Sequence, residues 1–141
     1  MPIELEIVTP ERLAYSGEVD SVVLPGAEGE MGVLPHHAPL LATLGVGELR
    51  IRKGGEEEFF AIAGGFVQVR PDKVVVMAET ADMASEIDLE KAQEARREAE
   101  QALESGDQDV NLEAARIALA GALLRIRLAE RRHREGPRRR L

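Results

Sequence analysis

At 141 residues and 15.4 kDa, with 44% hydrophobic and 31% charged side chains, the chain has room for one ordinary domain or two small ones and the balance of a globular protein. It has no cysteine or tryptophan and only 3% aromatic residues, which removes disulfides and thiolate zinc sites and disfavours base-stacking nucleic-acid modules. A strictly apolar run such as Val74 to Ala78 is far short of the ~20 residues of a membrane span, and neither a signal peptide nor a transit peptide is expected.

Period-2 alternation opens the chain, with Ile3, Leu5 and Ile7 on one face and Glu4 and Glu6 on the other. Val19 to Leu24 is a β-branched run stopped by Pro25-Gly26. Leu49 and Ile51 alternate with Glu48, Arg50 and Arg52. Lys53-Gly54-Gly55-Glu56 predicts a tight hairpin, because a two-residue reversal needs positive φ. Phe59 to Ala63 is the expected return strand, broken by Gly64-Gly65. Phe66 to Arg70, the turn Pro71-Asp72-Lys73 and Val74 to Met77 follow; the last run is apolar throughout and predicts cover on both faces. Short strands with frequent turn signals imply a sandwich or a flattened barrel.

Composition changes near residue 85: ten of the 13 glycines and six of the seven prolines precede it, and Ala, Glu, Arg and Leu dominate after it. Two units follow, 1–85 and 87–141, joined at Ala84-Ser85-Glu86. In the second, Leu89, Ala92, Ala99 and Leu103 recur at helical spacing, Gly106-Asp107-Gln108-Asp109 interrupts, and Leu112, Ala115, Leu119, Ala122, Leu123, Ile126 and Ala129 resume. Asp88 is a suitable cap for the first helix and Asp109 or Asn111 for the second, with Gly106 and Gly136-Pro137 as stops. The fold class is therefore α+β, with an antiparallel helical hairpin after the β part. A seam so rich in alanine buries little apolar area, so this pair should detach more easily than the sheet unfolds.

Catalytic chemistry is not evident. No serine sits in a nucleophile elbow, and Gly26 to Gly32 lacks the Lys-Ser/Thr of a phosphate loop. Adjacent His36 and His37 point to opposite faces of an extended segment and do not favour one metal ion, so no metal site is expected. The charge is uneven: −9 over residues 1–86, −5 over 87–124 and +6 over 125–141. Arg125, Arg127, Arg131, Arg132, Arg134, Arg138, Arg139 and Arg140 fall within 16 positions. Such a cluster can complement the helix dipole or seek an acidic partner; nucleic acid is the weaker partner without aromatics.

Leu24-Pro25-Gly26-Ala27-Glu28-Gly29-Glu30-Met31-Gly32-Val33-Leu34-Pro35 with His37-Ala38-Pro39-Leu40-Leu41 resembles the signature of the ε subunits of bacterial F-type ATP synthases. Ala63-Gly64-Gly65-Phe66-Val67-Gln68-Val69, Ala78-Glu79-Thr80-Ala81 and the Ile87-Asp88 helix entry fit as well, and the likeness spans essentially the whole chain. His36 departs from it, standing where that family usually has glycine. The resemblance implies an antiparallel β-sandwich of about ten strands (1–85) and a regulatory two-helix hairpin (87–141). It implies a non-catalytic rotor subunit that joins the γ subunit to the ring of c subunits, with Glu30 and His37 facing the ring. It further implies that the second helix can reach the α/β catalytic head and restrain ATP hydrolysis, with Arg125, Arg127, Arg131, Arg132 and Arg134 as basic contacts.

Some members bind ATP on the folded hairpin through Ile/Leu-Asp-x-x-Arg-Ala. Here Ile87, Asp88, Lys91 and Ala92 occupy that motif, with Arg125 further along. Lysine lacks the planar fork that suits phosphate, and Glu98 would repel it, so ATP is at most a weak regulatory ligand and no cofactor is expected. The expected setting is the cytoplasmic side of a bacterial inner membrane, peripheral and held indirectly through the complex. A free nucleotide-sensing module is the alternative reading.

Overall fold

The computed structural model describes residues 2–107 and 109–135. Strands β1 (Ile3–Val8), β2 (Leu13–Val19), β3 (Ser21–Gly26), β4 (Gly29–Val33), β5 (Leu40–Lys53), β6 (Glu56–Val69) and β7 (Lys73–Met83) precede a short 3-10 turn at Ala84–Glu86 and helices α1 (Leu89–Glu104) and α2 (Leu112–Glu135). The sheet order is β2-β1-β7-β6-β5-β3-β4. All pairings are antiparallel except β1 with β7, which run parallel, so the sheet is mixed and not purely antiparallel.

Among the described residues there are seven strands where about ten were expected, because β5 and β6 each run unbroken for 14 residues. Gly64-Gly65 does not end a strand. It lies on a bend that crosses three strands: Gly45, Gly64 and Glu79 drop out of the ladders while pairing continues on both sides. Each strand changes its inward set there, from Phe60 and Ile62 to Val67 and Val69 in β6, and from Val74, Val76 and Ala78 to Ala81 in β7. A one-residue irregularity swaps faces because side chains alternate with period 2. Gly65 sits at φ +116°, where an added Cβ would collide with the Met77 carbonyl.

The main core holds Ile3, Leu5, Ile7, Val22, Leu24, Leu49, Phe60, Ile62, Val67 and Val76 among others. Tyr15 on β2 meets Phe60 on β6 edge-on, with ring centroids 5.8 Å apart at 79°. Those strands are separated by two others in the sheet order, so the rings touch across the sandwich. Gly54 and Gly55 have φ of +59° and +83°, which builds the predicted tight turn between β5 and β6. Val74 to Met77 is not covered on both faces: Val74 and Val76 are buried, but Met77 is 41% exposed. The stretch covered on both faces is Phe59 to Ala63 in β6, where all five residues are buried.

Asp88 caps α1, its carboxylate accepting from the Lys91 amide at 3.2 Å. Asn111, not Asp109, caps α2 by accepting from the Ala114 amide. Gly106 at φ +68° follows α1. The Gly136-Pro137 stop lies outside the described residues.

Candidate functional site

Two faces of β6 explain where the helices go. Phe60 and Ile62 point into the sandwich, which leaves Phe59 and Ala61 on the outer surface. There they pack with Ala84, Leu124 and Leu128, and Ile87 adds to the cluster. Gly121, Leu124, Leu128 and Arg131 share one face of α2 at three- and four-residue steps. The expected seam had included Leu112 and Leu123, yet these are 46% and 45% exposed. Leu124 and Leu128 were missed because a helix that touches two neighbours has two apolar stripes, and the alanine stripe is the more regular. α1 has its main contact with α2, and α2 makes the principal helix contact with the sheet.

This contact ends in a charged group. Arg131 donates to Glu48 from both terminal nitrogens, at 2.9 Å to Oε1 and 3.4 Å to Oε2. Its guanidinium carbon lies 4.6 Å from the centre of the Phe59 ring. Glu48 is placed by register, since it pairs with Ala61, the residue under α2. Both charged side chains are about a quarter exposed (28% and 26%), so water partly screens the pair.

Beside the contact is an open cleft of about 270 Å³ lined by Ile87, Asp88, Lys91, Ala92 and Arg125, together with Asp82 and Glu86. The five residues of the candidate nucleotide set thus come together where β7, the 3-10 turn and both helices meet. Glu98 is exposed on α1 and does not line the cleft. The negative charge comes instead from Asp82 and Glu86, which no motif flagged; they arrive because β7 runs directly into the helix entry. With Asp88, three carboxylates face Lys91 and Arg125, an excess of one negative charge that opposes a polyphosphate.

The two residues expected to face the ring flank the start of β5. Glu30 is exposed on β4, next to a two-residue hairpin turn at Ala27-Glu28, and borders a groove of about 500 Å³ with Ala42 and Thr43. His37 is half-buried, its Nδ1 donating to the Ala38 carbonyl at 2.7 Å. His36 is the one described non-glycine residue with positive φ, at +66°, and its amide donates to the Pro71 carbonyl. Among the expected basic contacts, Arg127 is exposed, Arg125 lines the cleft and Arg131 is held by Glu48. The side chains of Arg132 and Arg134, and the whole of Arg138, Arg139 and Arg140, lie outside the described residues. No group of three or more potential metal-ligand side chains converges among the described residues.

Residues 2–84 match the family model for the β-sandwich domain of the ATP synthase delta/epsilon chain, and residues 85–130 match its long α-helix domain. An ATP synthase epsilon chain of Desulforamulus reducens is 48% identical over 89% of this chain and 96% of its own length. One from Herpetosiphon aurantiacus is 47% identical over 96% and 100%. A chain of the Euglena gracilis mitochondrial ATP synthase OSCP/F1/c-ring structure superposes with a TM-score of 0.72 at 29% identity, covering 87% of this chain and 78% of that one. A chain of the Tetrahymena thermophila central stalk/c-ring structure shares the fold at TM-score 0.55 and 19% identity, over 93% and 96%.

Proposed function

Because the chain belongs to the delta/epsilon chain family of ATP synthases, we propose that it joins a γ-type shaft to a c-type ring and restrains ATP hydrolysis through α2 and the basic segment beyond it. It is an accessory subunit and performs no turnover of its own. The observation that carries the regulatory part is the small contact holding α2: two leucines against Phe59, Ala61 and Ala84, ended by one ion pair. A helix fixed by so little apolar area leaves its support at modest cost, whereas the sheet buries a core along every strand. The basic residues of α2 then become available to an acidic surface of the catalytic head. Deleting residues 125–141 should raise ATP hydrolysis by the reconstituted complex, and an unchanged rate would remove the inhibitory role.

The outer sheet surface supports the docking part. Leu13, Val8, Met77, Phe66 and Thr43 form one row across five strands by register. Leu13, Phe66 and Met77 are 56%, 53% and 41% exposed. α2 covers the outer face of the layer that carries Phe59 and Ala61, and the outer face of the opposite layer, which carries Phe66, is left bare. Contiguous exposed apolar side chains of this kind mark an interface, and the γ-type shaft is the occupant. No described helix is long and apolar enough to cross a membrane. Peripheral attachment through the complex, at the cytoplasmic side, belongs to the same proposal.

The cleft supports a second reading, in which ATP binds weakly and stabilises the packed helices. Its support is the convergence of Ile87, Asp88, Lys91, Ala92 and Arg125, against the adverse charge of Asp82 and Glu86. Calorimetric titration discriminates: heat that grows on neutralising both carboxylates (Asp82→Asn, Glu86→Gln) supports it, and no heat at millimolar ATP rejects it.

A further inference from the structure

Arg131 stands at the point where the packed part of α2 gives way to the basic end. Leu128, one turn earlier, is fully buried, and Arg132, Arg134, Arg138, Arg139 and Arg140 follow in sequence. Its guanidinium carries one unit of charge and can serve one carboxylate partner in full. In the packed state that partner is Glu48, 83 residues away, and the planar face rests on Phe59. The fork geometry orients the group, and the aromatic ring fixes its plane.

We propose that Arg131, Glu48 and Phe59 form a latch that holds α2 on the sandwich, and that Glu48 competes with any acidic partner for Arg131. The packed and extended states then share one cation, and that cation engages only one acceptor at a time. The latch itself is a property of the isolated chain. Only its effect on hydrolysis rests on the inhibitory reading above. Glu48 is the discriminating residue, because changing it opens the latch and leaves every basic side chain of α2 in place.

Hydrogen exchange of α2 amides in the full chain tests the latch. Glu48→Gln should speed exchange about two- to fivefold, and Arg131→Gln about three- to tenfold, since the latter also loses the ring contact. The exchanged pair Glu48→Arg with Arg131→Glu should recover much of the protection. Ala63→Cys with Gly121→Cys supplies the control in a chain free of other cysteines. A Cβ built at Gly121 lies 3.8 Å from that of Ala63, a disulfide spacing. Oxidation should tether α2 and abolish the difference between wild type and Glu48→Gln. Unchanged exchange in both single variants, or a difference that survives the tether as fraying would, overturns the latch. In the reconstituted complex Glu48→Gln should lower ATP hydrolysis and Arg131→Gln should raise it. Faster exchange with unaltered hydrolysis upholds the latch and overturns the inhibitory reading.

Discussion

His36 occupies the left-handed region at φ +66°, and the family resemblance leads one to expect glycine there. A β-carbon in that region costs about 1–2 kcal/mol, partly offset by the greater freedom that glycine has when unfolded. His36→Gly should therefore stabilise the chain by roughly 0.5–1 kcal/mol in denaturant titration; a loss would mean that the imidazole makes a compensating contact. Tyr15 is the sole tyrosine, and burial first, then the charge of Glu58, raises its pKa. An unfolded tyrosine ionises near pH ~10, so above that the unfolded chain has shed a proton that the folded chain still holds. Stability is unaffected below about pH 10 and falls as pH rises through the higher folded value. Tyr15→Phe should flatten that alkaline decline, with tyrosinate absorbance following the single group in wild type. Equal alkaline slopes in both proteins would refute the shift.

The helix caps, the Gly54-Gly55 turn and the β-then-α order were legible in the sequence because each depends on a few neighbouring residues. Asp88 needs only its own helix start, and a two-residue reversal needs only its glycines. What could not be read depends on partners distant in the chain. The bend at Gly45, Gly64 and Glu79 looks like three strand ends until the ladders are seen to continue across it. Leu124 and Leu128 make sense only once β6 presents Phe59 and Ala61 outward. Five residues of the candidate cleft came from one motif and its downstream arginine, whereas Asp82 and Glu86 required knowing where β7 ends. Gly121 belongs to the same interface and is buried, but a Cβ there would meet Ala63 at an ordinary 3.8 Å and the flexible end of Arg125 at 3.4 Å. Close packing does not demand glycine at this place. Gly121→Ala should strengthen α2 by about 1 kcal/mol, seen as slower amide exchange across the helix; faster exchange would show that the arginine cannot move aside.

Across the whole molecule, the two outer faces of the sandwich are used differently: the layer through Phe59 and Ala61 carries α2, and the layer through Phe66 presents bare apolar side chains. Phe66→Glu should abolish co-purification of a γ-type subunit and leave the thermal midpoint nearly unchanged, because the ring is half in solvent already. Retained co-purification would place the shaft elsewhere. The β1–β7 pairing has a consequence during synthesis. β1 takes its parallel neighbour from residues 73–77, so its second edge stays open until that stretch has left the ribosome. At about 5–20 residues per second that delay is several seconds or more, with an apolar hairpin waiting for its mate. Closure of the sheet is thus a late, long-range event, slow by its topology, and a nascent chain halted before β7 would expose an adhesive edge.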